Sequence, residues 1–355
     1  MATLSISIPT YNRISQLSEL VERLLSFKSD DIELVVTNNG STDNTLAELA
    51  KISDPRLKVF DNENPVPGYY NMILGLFNAS GKYVIHCNDR DLLFTERLPE
   101  LLDFLNKDNY SYVQTTRGYL EPSRKVKVYE KGYESLLYQP FSNHPTGMVF
   151  NTDLMHKYLH KEDYLKYVDD TFTYSFLQRE LLVYEKSARF DIGCWNERHS
   201  KIKLELSSGS VYKGGLYFEP DRITIFMQSV IKHIIGNPYF GLTNDQESII
   251  ILKIIDYFKK QLIYKKICYA DNRECAHYGM NKQFVSVFQM KKIYQQYICA
   301  CNEIIQDVGY GKVLDTIWKE KQKTYMDVVF MDCMKADFSI LYNKYKRLTD
   351  KKYPY

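Results

Sequence analysis

Two carboxylates and an arginine stand together at Asn88-Asp89-Arg90-Asp91, directly after the short apolar run Tyr83-Val84-Ile85-His86-Cys87. A run of this kind, entered through Ser80-Gly81, predicts a buried strand. Asp89, Arg90 and Asp91 then fall at the carboxyl edge of a sheet, where open α/β sheets bind ligands. Charge placed there costs desolvation unless it meets a cation, a phosphate or an opposite charge. Carboxylate oxygens can hold a divalent ion. A guanidinium can instead hold a diphosphate through paired hydrogen bonds.

Two more polar clusters follow apolar runs. Pro9-Thr10-Tyr11-Asn12-Arg13 comes after the first, with Asn12 and Arg13 able to hydrogen-bond a ligand over the sheet edge. Asn38-Asn39-Gly40-Ser41-Thr42-Asp43 comes after the second; Asn-Gly supplies a tight turn, and Ser41, Thr42 or Asp43 caps the next helix. Taken alone, each is also what an ordinary β-to-α turn uses.

The elements that must position these clusters are legible in the periodicity. Strands are expected over 4–8, 32–36, 57–60 and 83–87, separated by helical patterns such as Ile14, Leu17, Val21, Leu24 and Leu25. Repeated βαβ units imply a mixed, mostly parallel sheet with helices on both faces. After Leu92 the pattern loosens; strands are expected over 110–115, 126–129, 147–151 and 181–185. From about Pro220 long helical periodicities dominate, over 223–235, 247–269, 284–308 and 313–345, with breaks at Gly236-Asn237-Pro238, Asn272 and Gly309. The expected division is an α/β domain over residues 1–219 and a helical domain over 220–355.

With 355 residues the chain can build two sizeable cores. Its net charge of +2 does not mark a nucleic-acid binder. The seven cysteines are odd in number, lack paired CxxC motifs, and imply reduced thiols in a reducing compartment. No basic segment followed by a long apolar one opens the chain, and no apolar stretch reaches the roughly 18 residues of a membrane span. The expected location is the cytoplasm, at or near the inner face of the cell membrane.

PTYNR after strand one, NNGSTDNT after strand two, and ASGKY, four residues, then NDRD after strand four occur in this order at βαβ spacing. The combination resembles the family 2 glycosyltransferases, which have the GT-A fold. It covers residues 3 to 200. The resemblance implies an inverting transfer from a nucleotide-diphosphate sugar, with a UDP-sugar the expected donor. It assigns nucleotide contacts to Pro9, Tyr11, Arg13, Asn38, Asn39, Asn88 and Asp89. The family often has Asp-Asp or Asp-Asn before Gly-Ser; here both positions are amides, which can donate as well as accept.

The quartet departs further. The family's Asp-x-Asp-Asp places a Mn or Mg ligand third, and in the unshifted register that residue is Arg90. Two outcomes follow: Asp89 and Asp91 hold a divalent metal, or Arg90 neutralises the diphosphate in its place. A third is an Arg90–Asp salt bridge in a catalytically degenerate chain that serves as a binding or scaffolding subunit. The family also places an acidic pair before a helix, which implies Asp170, with Asp169 beside it, as the base that deprotonates the acceptor hydroxyl. Asp163 is its competitor, and helix N-capping is the plain alternative. By the same resemblance Arg198 and His199 reach the diphosphate or the metal, and Thr146 and Gly147 face the acceptor, though a β-hairpin turn explains the last two equally. The implied acceptor is a glycan or lipid-linked glycan of a bacterial surface polysaccharide such as capsule or O-antigen. The basic segment Lys344 to Arg347 with Lys351-Lys352 suits peripheral contact with anionic lipid, though a solvated charged face is the favoured reading of these residues. The apolar positions near Ile249 to Ile255 suit a homo-oligomer.

Overall fold

The computed structural model describes residues 2–118, 121–140, 142, 144–167, 172–197, 219–272, 275, 280–309 and 312–349, with backbone alone at 312, 313 and 343–349. The chain divides into two compact units, 1–199 and 200–355.

The first unit is built on a nine-stranded mixed sheet. Its strands are β1 (Leu4–Thr10), β2 (Ile32–Asn38), β3 (Leu57–Asp61), β4 (Tyr83–His86), β5 (Asp91–Leu93), β6 (Tyr112–Arg117), β7 (Val126–Tyr129), β8 (Met148–Asn151) and β9 (Ser187–Glu197). They run in the order β3-β2-β1-β4-β8-β6-β9-β5, with β7 pairing β9. The strands β3, β2, β1 and β4 are mutually parallel, and β8 enters antiparallel against β4. The helices are α1 (Ile14–Ser26), α2 (Thr45–Leu49), α3 (Gly68–Phe77), α4 (Leu98–Lys107), α5 (Tyr133–Tyr138), α6 (Thr152–Tyr158) and α7 (Tyr174–Leu181).

Helix α1 buries Leu17, Leu20, Val21, Leu24 and Leu25, the three-and-four spacing of one helical face. That face packs with Leu4, Ile6 and Ile8 of β1 and with Leu98, Leu101 and Leu105 of α4 in one core. The other face of β1 carries Ser5 and Ser7, both buried. These small residues let α3 approach closely: a methyl on Gly75 would lie 2.6 Å from the Ser7 hydroxyl.

The strand expected over 181–185 is not formed. Leu181 ends α7 and the next three residues turn. Phe176, Leu177 and Leu181 are all buried on that helix, so the apolar run continues a helical face. Strand alternation starts later, where Ala188, Phe190 and Ile192 are buried and Arg189 is exposed.

The second unit comprises α8 (Pro220–Ile234), α9 (Asn244–Gln261), α10 (Tyr264–Ala270), α11 (Val287–Val308), α12 (Lys312–Asp327) and α13 (Val329–Thr349) among the described residues. Two of the expected long helices are each divided, between Gln261 and Tyr264 and between Asp327 and Val329. Capping boxes start α9 (Thr243 with Gln246) and α11 (Ser286 with Gln289). Gly309, at φ +66°, ends α11 in the left-handed region. On α13, Val329, Cys333 and Ala336 are buried, while Met331, Met334, Phe338 and Leu341 are exposed along a second face.

At the amino edge of the first unit's sheet, Glu33 of β2 holds four strands together. It accepts from Ser5 of β1 at 2.5 Å, from Lys58 of β3 at 2.5 Å, and from the Ser80 and Gly81 amides that open β4 at 2.8 and 3.2 Å. Burial alone would raise its carboxyl, but the bonds from Lys58, Ser5 and Ser80 outweigh it and hold the group down from 4.5 to about 2. The ionised form is therefore favoured in the folded state. Its stabilisation is full above the unfolded value and is lost as pH falls toward about 2. A shift of this size corresponds to about 3 kcal/mol. Glu33→Gln should lower stability at pH 7 by about 2 kcal/mol, with the deficit shrinking as pH is lowered from 4.5 toward 2. Urea denaturation of both proteins across this range is the check. A deficit that does not change with pH would remove the carboxylate's role.

Candidate active site

Strands β1, β2 and β4 deliver three loops to one sheet edge. Thr10 at the end of β1 pairs with Asn38 at the end of β2, and Ser7 pairs with His86 at the end of β4. Asn12 joins the first two loops. At φ +52° it occupies a left-handed conformation that asparagine tolerates. Its Oδ1 accepts from the Thr42 and Asp43 amides at 2.7 and 3.3 Å, and its own N–H donates to Ser41 Oγ at 2.9 Å. Asn12 thus builds the loop rather than reaching over the edge.

The two expected nucleotide-contacting amides are similarly engaged. Asn38 donates to Asp61 at 2.6 Å and accepts from Ser41 at 2.5 Å. Asn39 donates to the Val66 carbonyl at 2.9 Å and accepts from Asn62 and from the Val66 amide. Both are buried and fix the segment after β3. Pro9 lies inside β1, which runs one residue past it. Tyr11 is half-buried and makes no hydrogen bond with another described residue.

The quartet is a turn closed by the Asp91 amide donating to the Asn88 carbonyl at 3.0 Å. Its two carboxylates serve different neighbours. Asp89 faces loop one: Thr10 donates to it at 2.9 Å and Arg13 pairs with it at 3.2 Å. Asp91 faces β8: it accepts from Thr146 Oγ1 at 2.5 Å and Asn88 Nδ2 at 2.9 Å, with His144 Nε2 at 3.7 Å. Burial pushes the Asp91 carboxyl up, against the opposing pull of His144, Thr146 and Arg90. Each carboxylate side chain is 2% exposed. Arg90 is half-buried and makes no hydrogen bond or ion pair with another described residue.

This donor set fits a divalent cation poorly. Asp89 spends both oxygens on Thr10 and Arg13. No three His, Cys, Asp or Glu side chains among the described residues could hold an ion.

Thr146 and Gly147, expected at the acceptor, are buried ties. Thr146 Oγ1 also accepts from the Asn88 amide at 3.1 Å. Gly147, at φ +88°, donates to the His86 carbonyl at 2.9 Å and lies under the Trp195 indole, which a methyl group there would strike. Beside them lies a cluster that no local motif announces. His144 stacks on Trp195 at 4.6 Å and 16°, and its Nε2 lies 3.0 Å from Glu197. The Thr146 amide donates to His144 Nδ1 at 3.2 Å, so the neutral ring carries its proton on Nε2, toward Glu197. Arg117 pairs with Glu197 and lies 4.9 Å from the Trp195 ring centre. Pairing of β5 with β9 sets Asp91 opposite Glu197. The alternation of 187–195 was the available signal. Asp169, Asp170, Arg198 and His199 lie outside the described residues. Asp163 is exposed on a short 3-10 helix over Lys161–Tyr167.

The profile of Glycosyl transferase family 2 matches residues 5–183, half of the chain. The chain belongs to that family. An uncharacterized glycosyltransferase of Rickettsia felis is 23% identical over 241 residues, 67% of this chain and 38% of its own length. A Campylobacter jejuni protein, GalNAc(5)-diNAcBac-PP-undecaprenol beta-1,3-glucosyltransferase, is 31% identical over 116 residues, 32% of this chain and 37% of its own length. The chain therefore spans less than half the length of either relative. The crystal structure of S. aureus TarS 1-349 in complex with UDP-GlcNAc superposes with a TM-score of 0.55 at 17% identity, covering 95% of this chain and 89% of that one. The shared fold is GT-A.

Gly147 combines a left-handed conformation with contact against Trp195, so Gly147→Ala meets both strain and overpacking. It should cost at least about 2 kcal/mol. Thermal unfolding followed by Trp fluorescence is the check, and an unchanged midpoint would remove the constraint.

Proposed function

We propose that this chain transfers a sugar from a UDP-sugar to a hydroxyl of a glycan or lipid-linked glycan, with inversion at the anomeric carbon. The observation that carries this reading is the meeting of three strand-end loops at one sheet edge, where Asp89 ties the loop after β4 to loop one and Arg90 has no hydrogen bond or ion pair with another described residue. The UDP-GlcNAc complex of TarS and the undecaprenol-linked substrate in the Campylobacter relative's name support the donor and acceptor classes.

In this reading Asp170 takes the proton of the acceptor hydroxyl while its oxygen attacks the anomeric carbon. The bond from that carbon to the donor phosphate oxygen breaks, and UDP leaves with the electron pair. One displacement inverts the configuration. Asp169 neighbours the base. Tyr11, Asn88 and the loops fixed by Asn38, Asn39 and Asp89 hold the nucleoside, and Arg90, Arg198 and His199 stabilise the diphosphate charge. A metal at Asp89 and Asp91 would lend the same electrostatic help, but both carboxylates are already committed.

The setting proposed is the inner face of a bacterial membrane during surface-polysaccharide synthesis. No helix among the described residues is long and apolar enough to cross a membrane. The exposed face of α13, with Met331, Met334, Phe338 and Leu341, leads in sequence to Lys344, Lys346, Arg347, Lys351 and Lys352. An apolar stripe followed by basic residues suits an anionic lipid surface.

Two experiments test this. With a panel of nucleotide sugars and a polyprenyl-diphosphate-linked acceptor, Asp170→Asn should lower kcat by about 100- to 10,000-fold. Its UDP affinity should stay within about twofold, because a general base acts on the acceptor proton and not on the nucleotide. Full activity in Asp170→Asn would remove the base assignment, and absence of transfer with every donor would remove the reaction class. The chain should also sediment with phosphatidylglycerol vesicles and not with phosphatidylcholine ones, an association that Phe338→Ser with Leu341→Ser should abolish. Equal sedimentation with both lipids would end the electrostatic part of the proposal.

A further inference from the structure

We propose that Arg90 takes the place of a divalent cation at the donor diphosphate, so that this chain binds its donor without metal. The inference rests on the donor reading above and concerns the charge that meets the phosphates.

Three observations carry it. The first is position. Arg90 is the third residue of the turn that ends β4, where the family resemblance puts an acidic metal ligand. The second is that the neighbouring carboxylates are withdrawn. A metal site needs several oxygens converging on one point. Here the turn sends Asp89 toward Thr10 and Arg13, and Asp91 toward Thr146 and Asn88, both buried. Arg13 already supplies the counter-charge for Asp89. The third is that Arg90 is uncommitted. It is half-buried at the edge where the three loops meet; the charge of Asp91 acts on it, but no hydrogen bond or ion pair with another described residue holds its guanidinium.

A guanidinium is permanently charged and presents N–H groups in a planar fork that matches two phosphate oxygens. Partial burial strengthens such a contact over one made in bulk water. The fork can therefore hold the donor diphosphate and take up the charge that grows on it as it leaves, the service a cation gives elsewhere.

The test is binding. A thermal-shift panel of UDP, GDP, CDP and dTDP selects the nucleoside diphosphate, and calorimetry on the full chain compares it with its monophosphate. In EDTA the diphosphate should bind at least tenfold tighter than the monophosphate, and Mn should change its affinity by less than threefold. Arg90→Ala should abolish the tenfold preference while leaving monophosphate affinity and the unfolding midpoint unchanged. Arg90→Lys, which keeps charge without the fork, should retain part of it. Arg90→Asp should make diphosphate binding depend on Mn. Diphosphate binding that requires Mn in the wild-type chain, or a preference unchanged in Arg90→Ala, would overturn this inference alone. Failure of every nucleotide to bind with or without Mn would overturn the donor reading and this inference with it.

Discussion

A buried carboxylate must be answered by nearby donors, and at Asp89 the answer comes from 79 residues earlier in the chain. Thr10 and Arg13 both lie in the loop that leaves β1, so this contact ties the end of β4 to the end of β1. Removing one partner from such a buried pair typically costs about 3–5 kcal/mol, because the remaining charge keeps its desolvation penalty. Arg13 is 25% exposed, which tempers that figure, but Asp89 is only 2% exposed. Loop one is thereby held in place over the sheet edge. Loop two is attached to it through Asn12, and the segment after β3 is attached to loop two through Asn38 and Asn39. One ion pair therefore organises the floor of the candidate site.

The turn at 88–91 has a second side. Asp91 sits at the start of β5, and β5 pairs with the far end of β9. That pairing brings Glu197 and Trp195 beside His144 and Thr146, residues distant in sequence from the quartet. Gly147 makes this possible, since its missing side chain leaves space for the Trp195 indole. Two residues of one short turn thus work in opposite directions. Asp89 closes the side toward β1, and Asp91 closes the side toward β8.

The parallel half of the sheet was legible in the sequence because its signals are local. Apolar runs, helical spacing in α1 and Gly40 after paired asparagines each act within a few residues. The loops that carry the site follow from that alone. What remained hidden depends on partners. Asn38, Asn39 and Thr146 are polar residues in loops at strand ends, and nothing in their own neighbourhood shows that Asp61, Val66 and Asp91 consume them. The run Leu181-Leu182-Val183 fits a strand or a helix; only its packing with Phe176 and Leu177 decides. The alternation of β9 was present, but its pairing with β5, which places Glu197 by Asp91, is a long-range event. The quartet lay between these cases. Its position was clear from counting, while the divergence of its carboxylates was not.

That divergence bears on how a diphosphate can be managed here. Gathering several free carboxylate oxygens around an ion builds up repulsion that only the bound cation relieves. Such a site is costly when empty. This chain avoids the cost by satisfying both carboxylates within the protein, Asp89 with an arginine and Asp91 with a hydroxyl and an amide. Among the described residues the same arrangement leaves no free carboxylate at the turn and leaves Arg90 without a hydrogen-bond or ion-pair partner. An unpaired, half-buried guanidinium bears a desolvation penalty of its own, and that penalty is relieved when an anion arrives. The committed acids and the uncommitted base are thus two sides of one charge balance. It comes into register when the negative group of a ligand reaches the turn.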